Sequence, residues 1–217
     1  MDGNRRWAKQ KGLPALKGHY EGGETLRKII QASQRAGIEH VIFFTFSTEN
    51  WKRTPEEVSY LLDLIGTFLS KYLDSFAKDG GILHFAGDLS RFSKDMQETL
   101  REAKEKTKNN PGPHVYFALN YGGRQEILSA VKEIVKENPK EEEITEEYFA
   151  KHLHTEDMPD PDIIIRTSGE MRLSGFLPWQ AVYSELFFTN TLWPDFSEEE
   201  FRKILDEYAS RDRRVGK

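Results

Sequence analysis

Apolar residues in this chain gather into short continuous runs, separated by longer stretches in which they recur every three or four positions. The runs at 41–46 (Val-Ile-Phe-Phe-Thr-Phe), 82–86, 114–119, 162–166 and 185–188 are rich in β-branched and aromatic residues, as expected of strands buried on both faces. The intervening stretches read as helices. The first, 18–36, places Leu26, Ile29, Ile30 and the small Ser33 on one face and stops at Gly37. A second enters at Pro55 with Glu56 and Glu57 in its first turn, runs to about 78 and stops at Gly80-Gly81. Further helices are predicted at 93–108, at 124–137, from Thr145, and from a Ser197 cap to about Ser210. Residues 111–113 break the chain, 120–123 read as a tight turn and 140–143 as a solvated loop. Strands alternating with helices predict an α/β fold with a central, mostly parallel sheet, right-handed crossovers and helices on both faces. With no internal repeat and no long linker, residues 1–217 are expected to form a single domain.

Charge narrows the classes of function. The 31 lysines and arginines against 36 aspartates and glutamates give a net charge of −5, which argues against general nucleic-acid binding. The one basic cluster, Arg211-Asp212-Arg213-Arg214, is short and interrupted by an acid. An anionic substrate therefore needs local cationic groups or a metal ion. Cysteine is absent, so no disulfide, thiolate nucleophile or Cys-ligated metal is available, in keeping with a reducing cytoplasm. No apolar run approaches the roughly 20 residues that span a bilayer, and no signal-peptide pattern opens the chain. His152-Leu153-His154 falls on a predicted surface helix without nearby partners.

The candidate chemistry lies at the start of the chain and near strand ends, where open parallel sheets bind ligands. Met1-Asp2-Gly3-Asn4-Arg5-Arg6-Trp7 sets one carboxylate beside a glycine turn, an amide, two guanidiniums and an indole. An acid there suits a cation, and backbone N–H groups with two arginines suit a diphosphate. Ser47 to Arg53 offers hydrogen-bonding Ser47 and Asn50, a flat apolar wall in Trp51 and a phosphate-binding Arg53, or else a capped loop with one packed tryptophan. Arg166-Thr167-Ser168-Gly169-Glu170-Met171-Arg172-Leu173-Ser174 pairs two arginines around a glycine turn, which favours bidentate contact with phosphate oxygens. Glu185 opens an apolar run and needs a partner: either an arginine, or a hard cation shared with Asp2.

Taken together, these segments resemble the cis-prenyltransferases, and most of all the bacterial undecaprenyl diphosphate synthases. The shared motifs are Met1-Asp2-Gly3-Asn4-x-Arg6-Trp7-Ala8, Gly18-His19, Phe46-Ser47-x-Glu49-Asn50-Trp51-x-Arg53 and Asn120-Tyr121-Gly122-Gly123-Arg124. Ile165-Arg166-Thr167-Ser168-Gly169-Glu170-x-Arg172-Leu173-Ser174, Trp179-Gln180, Tyr183-Ser184-Glu185, Trp193-Pro194-Asp195-Phe196 and Arg213-Arg214-Val215-Gly216 follow in order.

The resemblance implies a homodimer with an elongated hydrophobic product tunnel, extending an allylic diphosphate such as farnesyl diphosphate by successive isopentenyl diphosphate units, each new double bond cis, with Mg²⁺. It implies that Asp2 handles the Mg²⁺–diphosphate and that Gly3, Asn4, Arg5, Arg6, Trp7, His19, Trp51 and Arg53 serve the allylic substrate. Arg166, Arg172 and Ser174 are implied to bind isopentenyl diphosphate, Glu185 to share the metal, and Ser47 and Asn50 to sit at the reacting centre. Arg214 and Gly216 are implied to reach the partner's active site. The helix from Pro55, striped with Val58, Leu61, Leu62, Ile65, Phe68, Leu69, Tyr72, Leu73 and Phe76, is either an ordinary core helix or, as in the family, a tunnel wall. The greasy product implies at most peripheral membrane contact for a cytoplasmic protein.

Some positions depart from the family pattern. Ala15 stands where many members have arginine, and Gly175 and Val215 where asparagine and phenylalanine are usual. The family's apolar strand and histidine ahead of Met-Asp-Gly-Asn are expected to be missing. A non-catalytic subunit of a heteromeric enzyme is the alternative, but such subunits generally lose Asp2, Trp7, Asn50 and Glu185 equivalents. A trans-prenyltransferase lacks support because no aspartate-rich motif occurs.

Overall fold

Among the described residues every strand pairing is parallel. β3 (His114–Tyr121) lies between β1 (His40–Ser47) and β2 (Ile82–Ala86), with Val115 opposite both Val41 and Leu83. β4 (Ile163–Arg166) pairs with β5 (Glu185–Phe188). The parallel character expected from the sequence is present, but the ladder is divided into a three-stranded and a two-stranded sheet. Strands of four residues, as β4 and β5 are, offer few ladder bonds and pair only with each other. This is a computed structural model, and it describes residues 1–211.

Side-chain alternation explains why the strand runs are continuously apolar. Phe43 and Val115 point to one side, into a cluster with Leu26 and Ile29 of α2 (Ala15–Arg35) and Phe201 and Ile204 of α7 (Glu198–Ser210). Ile42 and Phe44 point to the other side and pack on Ala118, Tyr121 and Leu177. Remaining helices are α3 (Pro55–Lys78), α4 (Lys94–Thr107), α5 (Gly123–Glu137) and α6 (Glu146–Ala150), and the bounds of α3, β2 and β5 are those the sequence predicts. α2 begins earlier than predicted, because Pro14 precedes Ala15, Leu16 and Lys17, all good helix formers. β3 takes in Asn120 and Tyr121, the first half of the predicted turn, and Gly122 then caps α5; within 120–123 Asn120 alone takes a left-handed φ, of 47°.

The stripe of α3 does not face a filled core. Val58 is its one buried residue, and Leu61, Ile65, Phe68, Leu69, Leu73 and Phe76 line a cavity of about 1140 Å³ between α3, α2 and the sheet. Protein interiors ordinarily close-pack, so a space of this size is a specified feature.

One helix was not legible in the sequence. α1 (Asn4–Gln10) has only seven residues, too few to show a period, and starts from Gly3 at φ 104°, a left-handed turn that favours glycine. α1 sits directly on α2, where a Cβ at Gly18 would lie 2.0 Å from the Asn4 carbonyl oxygen. Gly18→Ala is therefore expected to push α1 off α2, at a cost of about 1–3 kcal/mol. Chemical denaturation measures it, and an unchanged midpoint would mean that α1 does not depend on this contact.

Candidate active site

Residues of α1 (Asn4), of the C-terminal ends of β1 (Ser47) and β4 (Arg166), and of the approach to α3 (Arg53) line the cavity together. Asp2 is fixed there through its backbone. Its N–H donates to Thr167 Oγ1 at 2.9 Å, and the Thr167 hydroxyl donates back to its carbonyl at 2.8 Å. The Trp193 N–H donates to the same carbonyl at 3.0 Å. Anchoring of Asp2 thus comes from the β4 end and the 3₁₀ turn Trp193–Asp195.

The Asp2 carboxylate accepts the Gly3 N–H on Oδ1 at 2.7 Å and Arg166 Nη2 on Oδ2 at 3.1 Å, with Arg6 Nη2 3.7 Å away. Partial burial pushes its pKa up. The hydrogen bonds from Arg166 and Gly3 and the charges of Arg166 and Arg6 outweigh that, leaving the carboxyl below its ordinary value. Arg166 also donates through Nη1 to Ser174 Oγ at 2.8 Å and to the Arg172 carbonyl. Arg6 donates to the Ser168 carbonyl at 2.9 Å and to its hydroxyl, and lies 3.5 Å from Glu170, which also pairs with Arg172. Ser168 and Ser174 hold left-handed φ angles of 80° and 52°, strain that a tightly tied loop imposes at a site.

A second group of charged side chains gathers on Glu57 of α3. Glu57 accepts Arg53 at 2.7 Å, with Arg5 at 3.7 Å and His19 Nε2 at 3.8 Å. Asn4 Oδ1 and His19 Nε2 are buried without a hydrogen-bond partner and line the cavity. Orphaned polar atoms in such a place fit an incoming polar ligand. Ser47 and Asn50 also line it, the Ser47 N–H donating to Asn50 Oδ1 at 2.9 Å.

Burial, reinforced by the Arg53 charge, lowers the His19 pKa to about 4 despite Glu57, and burial with the neighbouring His114 lowers His84 to about 4. Both rings are neutral in the fold at pH 7. An unfolded histidine titrates near 6.5, so the unfolded chain takes up protons first as pH falls. The stability these rings contribute is full above about 6.5 and is lost progressively down to about 4. The thermal midpoint is expected to drop over that window, and His19→Asn to remove part of the drop. A midpoint that stays flat from pH 7 to 4 would show that neither ring is held neutral.

Asp2, Asn4, His19, Ser47, Asn50, Arg53, Arg166, Arg172 and Ser174 are thus brought together around one cavity. Gly3, Arg5 and Arg6 are not in that lining: a Cβ on Gly3 would lie 2.9 Å from Leu192 and 3.0 Å from Ser168, Arg5 is 3.7 Å from Glu57, and Arg6 donates to the Ser168 carbonyl. Three expectations are corrected. Trp51 does not form a wall of the cavity: it packs against Phe46 and Phe92 under the Arg91 guanidinium, and its indole N–H donates to Asn120 at 2.7 Å. Trp7 is buried and donates to Asp195 at 2.7 Å, a brace for α1. Glu185 does not meet Asp2 in this subunit. It opens β5 opposite Ile163, three residues (about 10 Å) along the strand direction from Arg166, and its carboxylate pairs with Arg211. Arg214 and Gly216 lie outside the described residues. Thr167, Ser168 and Glu57 were not assigned roles from the sequence. The Thr54-x-x-Glu57 spacing reads as a helix cap, and the roles of Thr167 and Ser168 depend on contacts more than 160 residues away in the chain.

Among the described residues no three histidine, aspartate or glutamate side chains converge on a metal position. Asp2 at the mouth, beside side chains suited to phosphate, nevertheless fits Mg²⁺, which is commonly held by one or two carboxylates together with substrate phosphates. The fold and site define an α/β protein in which charged side chains gather around one end of the lining of a largely apolar cavity.

A family model described as putative undecaprenyl diphosphate synthase matches residues 1–216, and the chain belongs to this prenyltransferase family. It is 46% identical to a ditrans,polycis-undecaprenyl-diphosphate synthase, farnesyl-diphosphate specific, of Micrococcus luteus, across 100% of this chain and 88% of that one. It is 44% identical to an isoprenyl transferase of Thermotoga maritima, across 100% and 94%. Among solved structures, lavandulyl diphosphate synthase from Lavandula x intermedia in complex with dimethylallyl diphosphate superposes with a TM-score of 0.95 at 31% identity, covering 100% of this chain and 95% of that one. A probable undecaprenyl diphosphate synthase from Campylobacter jejuni gives 0.81 at 34%, covering 91% and 92%.

Proposed function

We propose that this chain extends farnesyl diphosphate with isopentenyl diphosphate units, each added in cis, to undecaprenyl diphosphate. The observation that carries the reading is an apolar cavity of about 1140 Å³ whose lining includes Asp2, Arg53, Arg166 and Arg172 together with the unpartnered Asn4 Oδ1 and His19 Nε2. Ordinary small-molecule pockets are roughly 300–1000 Å³, so a long hydrocarbon suits the space.

In each addition the bond between the allylic C1 and its diphosphate oxygen breaks, and the electron pair leaves with the diphosphate. The isopentenyl double bond supplies the pair for the new carbon–carbon bond, and loss of a proton to solvent restores a double bond. Arg53, Arg5, His19 and Asn4 hold the allylic head, while Arg166, Arg172 and Ser174 hold the isopentenyl head. Ser47 and Asn50 orient the reacting ends. When bound, Mg²⁺ neutralises charge on the leaving diphosphate, and Asp2 is the residue that holds it. Holding two mutually repelling anions aligned is the main task, and arginine forks suit it.

Incubation with labelled isopentenyl diphosphate, farnesyl diphosphate and Mg²⁺, with products resolved by chain length, tests the proposal. Undecaprenyl-length product is expected, and absence of incorporation overturns it. A non-catalytic role is not favoured, since Asp2, Trp7, Asn50 and Glu185 are all present.

The working form we propose is a homodimer. Val182, Tyr183 and Leu186 are exposed around β5, and Leu128, Val131 and Val135 along α5, apolar surface that a second copy could cover. No described helix is long and apolar enough to cross a membrane. A cytoplasmic enzyme with peripheral membrane contact at product release accords with that.

A further inference from the structure

We infer that Glu57 is an internal stand-in for diphosphate: its carboxylate organises Arg53, Arg5 and His19 between turnovers, and its charge drives out the pyrophosphate that each prenyl transfer leaves behind. The inference rests on the prenyl-transfer reading and assigns a positioning and release role to a residue that bonds no substrate.

Glu57 is the third residue of α3 after the Thr54 cap. In a capping box the glutamate at that position reaches back to the backbone N–H of the cap residue. Here only the other half forms, the Glu57 N–H donating to Thr54 Oγ1 at a long 3.4 Å. The carboxylate is committed elsewhere: Arg53 Nη1 at 2.7 Å, Arg5 Nη1 at 3.7 Å and His19 Nε2 at 3.8 Å. These three side chains come from α3's approach, α1 and α2, and Glu57 is the anion they share. Its side chain is 14% exposed, so its charge is poorly screened.

Two opposite effects follow. As a brace, Glu57 keeps the cations Arg53 and Arg5 in place beside the neutral His19 ring and should aid binding of a phosphate. As a charge, it sits within a few ångströms of any phosphate those cations take up and repels it. The second effect is larger, because a multiply charged anion meets Glu57 at short range in a half-buried setting. The brace is modest, because Arg53 is only one turn away and the Arg5 contact is long. Chain elongation needs this sign. After each addition the allylic head position holds inorganic pyrophosphate, and the lengthened diphosphate must occupy that position before the next addition.

The test is calorimetric binding of inorganic pyrophosphate, with Mg²⁺, to wild type, Glu57→Gln and Glu57→Ala, each shown to be folded by its thermal midpoint. Tighter binding by about tenfold is expected in both variants. In steady state the KM for the allylic diphosphate should fall, the KM for isopentenyl diphosphate should hold, and kcat should fall as pyrophosphate release slows. A purely structural glutamate moves the allylic KM the other way. Wild-type binding with no gain, or a loss, in either folded variant overturns the role of Glu57 alone. Failure of wild type to bind pyrophosphate at all overturns the prenyl-transfer reading as well.

Discussion

Asp2→Ala is expected to lower turnover on the order of 10²–10³-fold, the scale seen when a preorganised charge-stabilising group is removed from an active site. The carboxylate is held ready before substrate arrives: Gly3 N–H and Arg166 fix one oxygen each, and Thr167 and Trp193 fix the backbone beneath. The position of residue 2 therefore survives the substitution, and the loss falls on chemistry. Asp2→Asn, which keeps the shape and discards the charge, should lose nearly as much. Folding should change little. The lowered pKa of Asp2 means that its ionised form contributes stability above the ordinary carboxylate value, lost as pH falls through the folded-state value. The group is partly exposed, so that contribution is small. Near-wild-type turnover of Asp2→Ala in saturating Mg²⁺ would remove Asp2 from the mechanism.

How much of this was legible in advance depends on the range of the interactions concerned. α3 and β2 are marked by local signals, Pro55 and Gly80-Gly81 at the helix ends and a continuous apolar run in the strand, and their bounds were predicted. α1 is set by its seat on Gly18 of α2, which no local pattern announces. The site divides in the same way. Arg166 ends β4 and Arg172 and Ser174 lie in the loop that follows it, so the sequence brings them together by itself. Trp51 and Trp7 carry residue types that serve equally as ligand wall or packing wedge, and contacts with Phe92 and Asp195 decide for packing. Glu185 is governed by strand register: a parallel pair that sets Glu185 opposite Ile163 necessarily sets Phe188, not Glu185, beside Arg166. Glu57 was hidden because a glutamate in a helix's first turn needs no further explanation.

Arg166→Ala should raise the KM for isopentenyl diphosphate by about 10–100-fold, as expected for loss of a charge-assisted, forked contact. The same guanidinium spans Asp2 on one side and Ser174 and the Arg172 carbonyl on the other, so the damage does not stop at one substrate. Ser174 loses the donor that accompanies its left-handed conformation, and the loop that carries Arg172 loses its tie to β4. Asp2 loses the strongest influence holding its carboxyl below the usual range, so its pKa rises. Turnover should therefore fall as well, and the acidic limb of the pH–kcat/KM profile should move to higher pH. Arg166→Lys separates these effects. It restores the charge beside Asp2, and with it most of the acidic limb, but not the fork, so the isopentenyl KM stays high. Arg172→Ala should be milder, because that side chain is largely exposed and already paired with Glu170. If Arg166→Ala instead raised the allylic KM and left the isopentenyl KM untouched, the assignment of the two diphosphate positions would have to be exchanged. Asp2 would then lie between them with its roles toward leaving group and acceptor reversed.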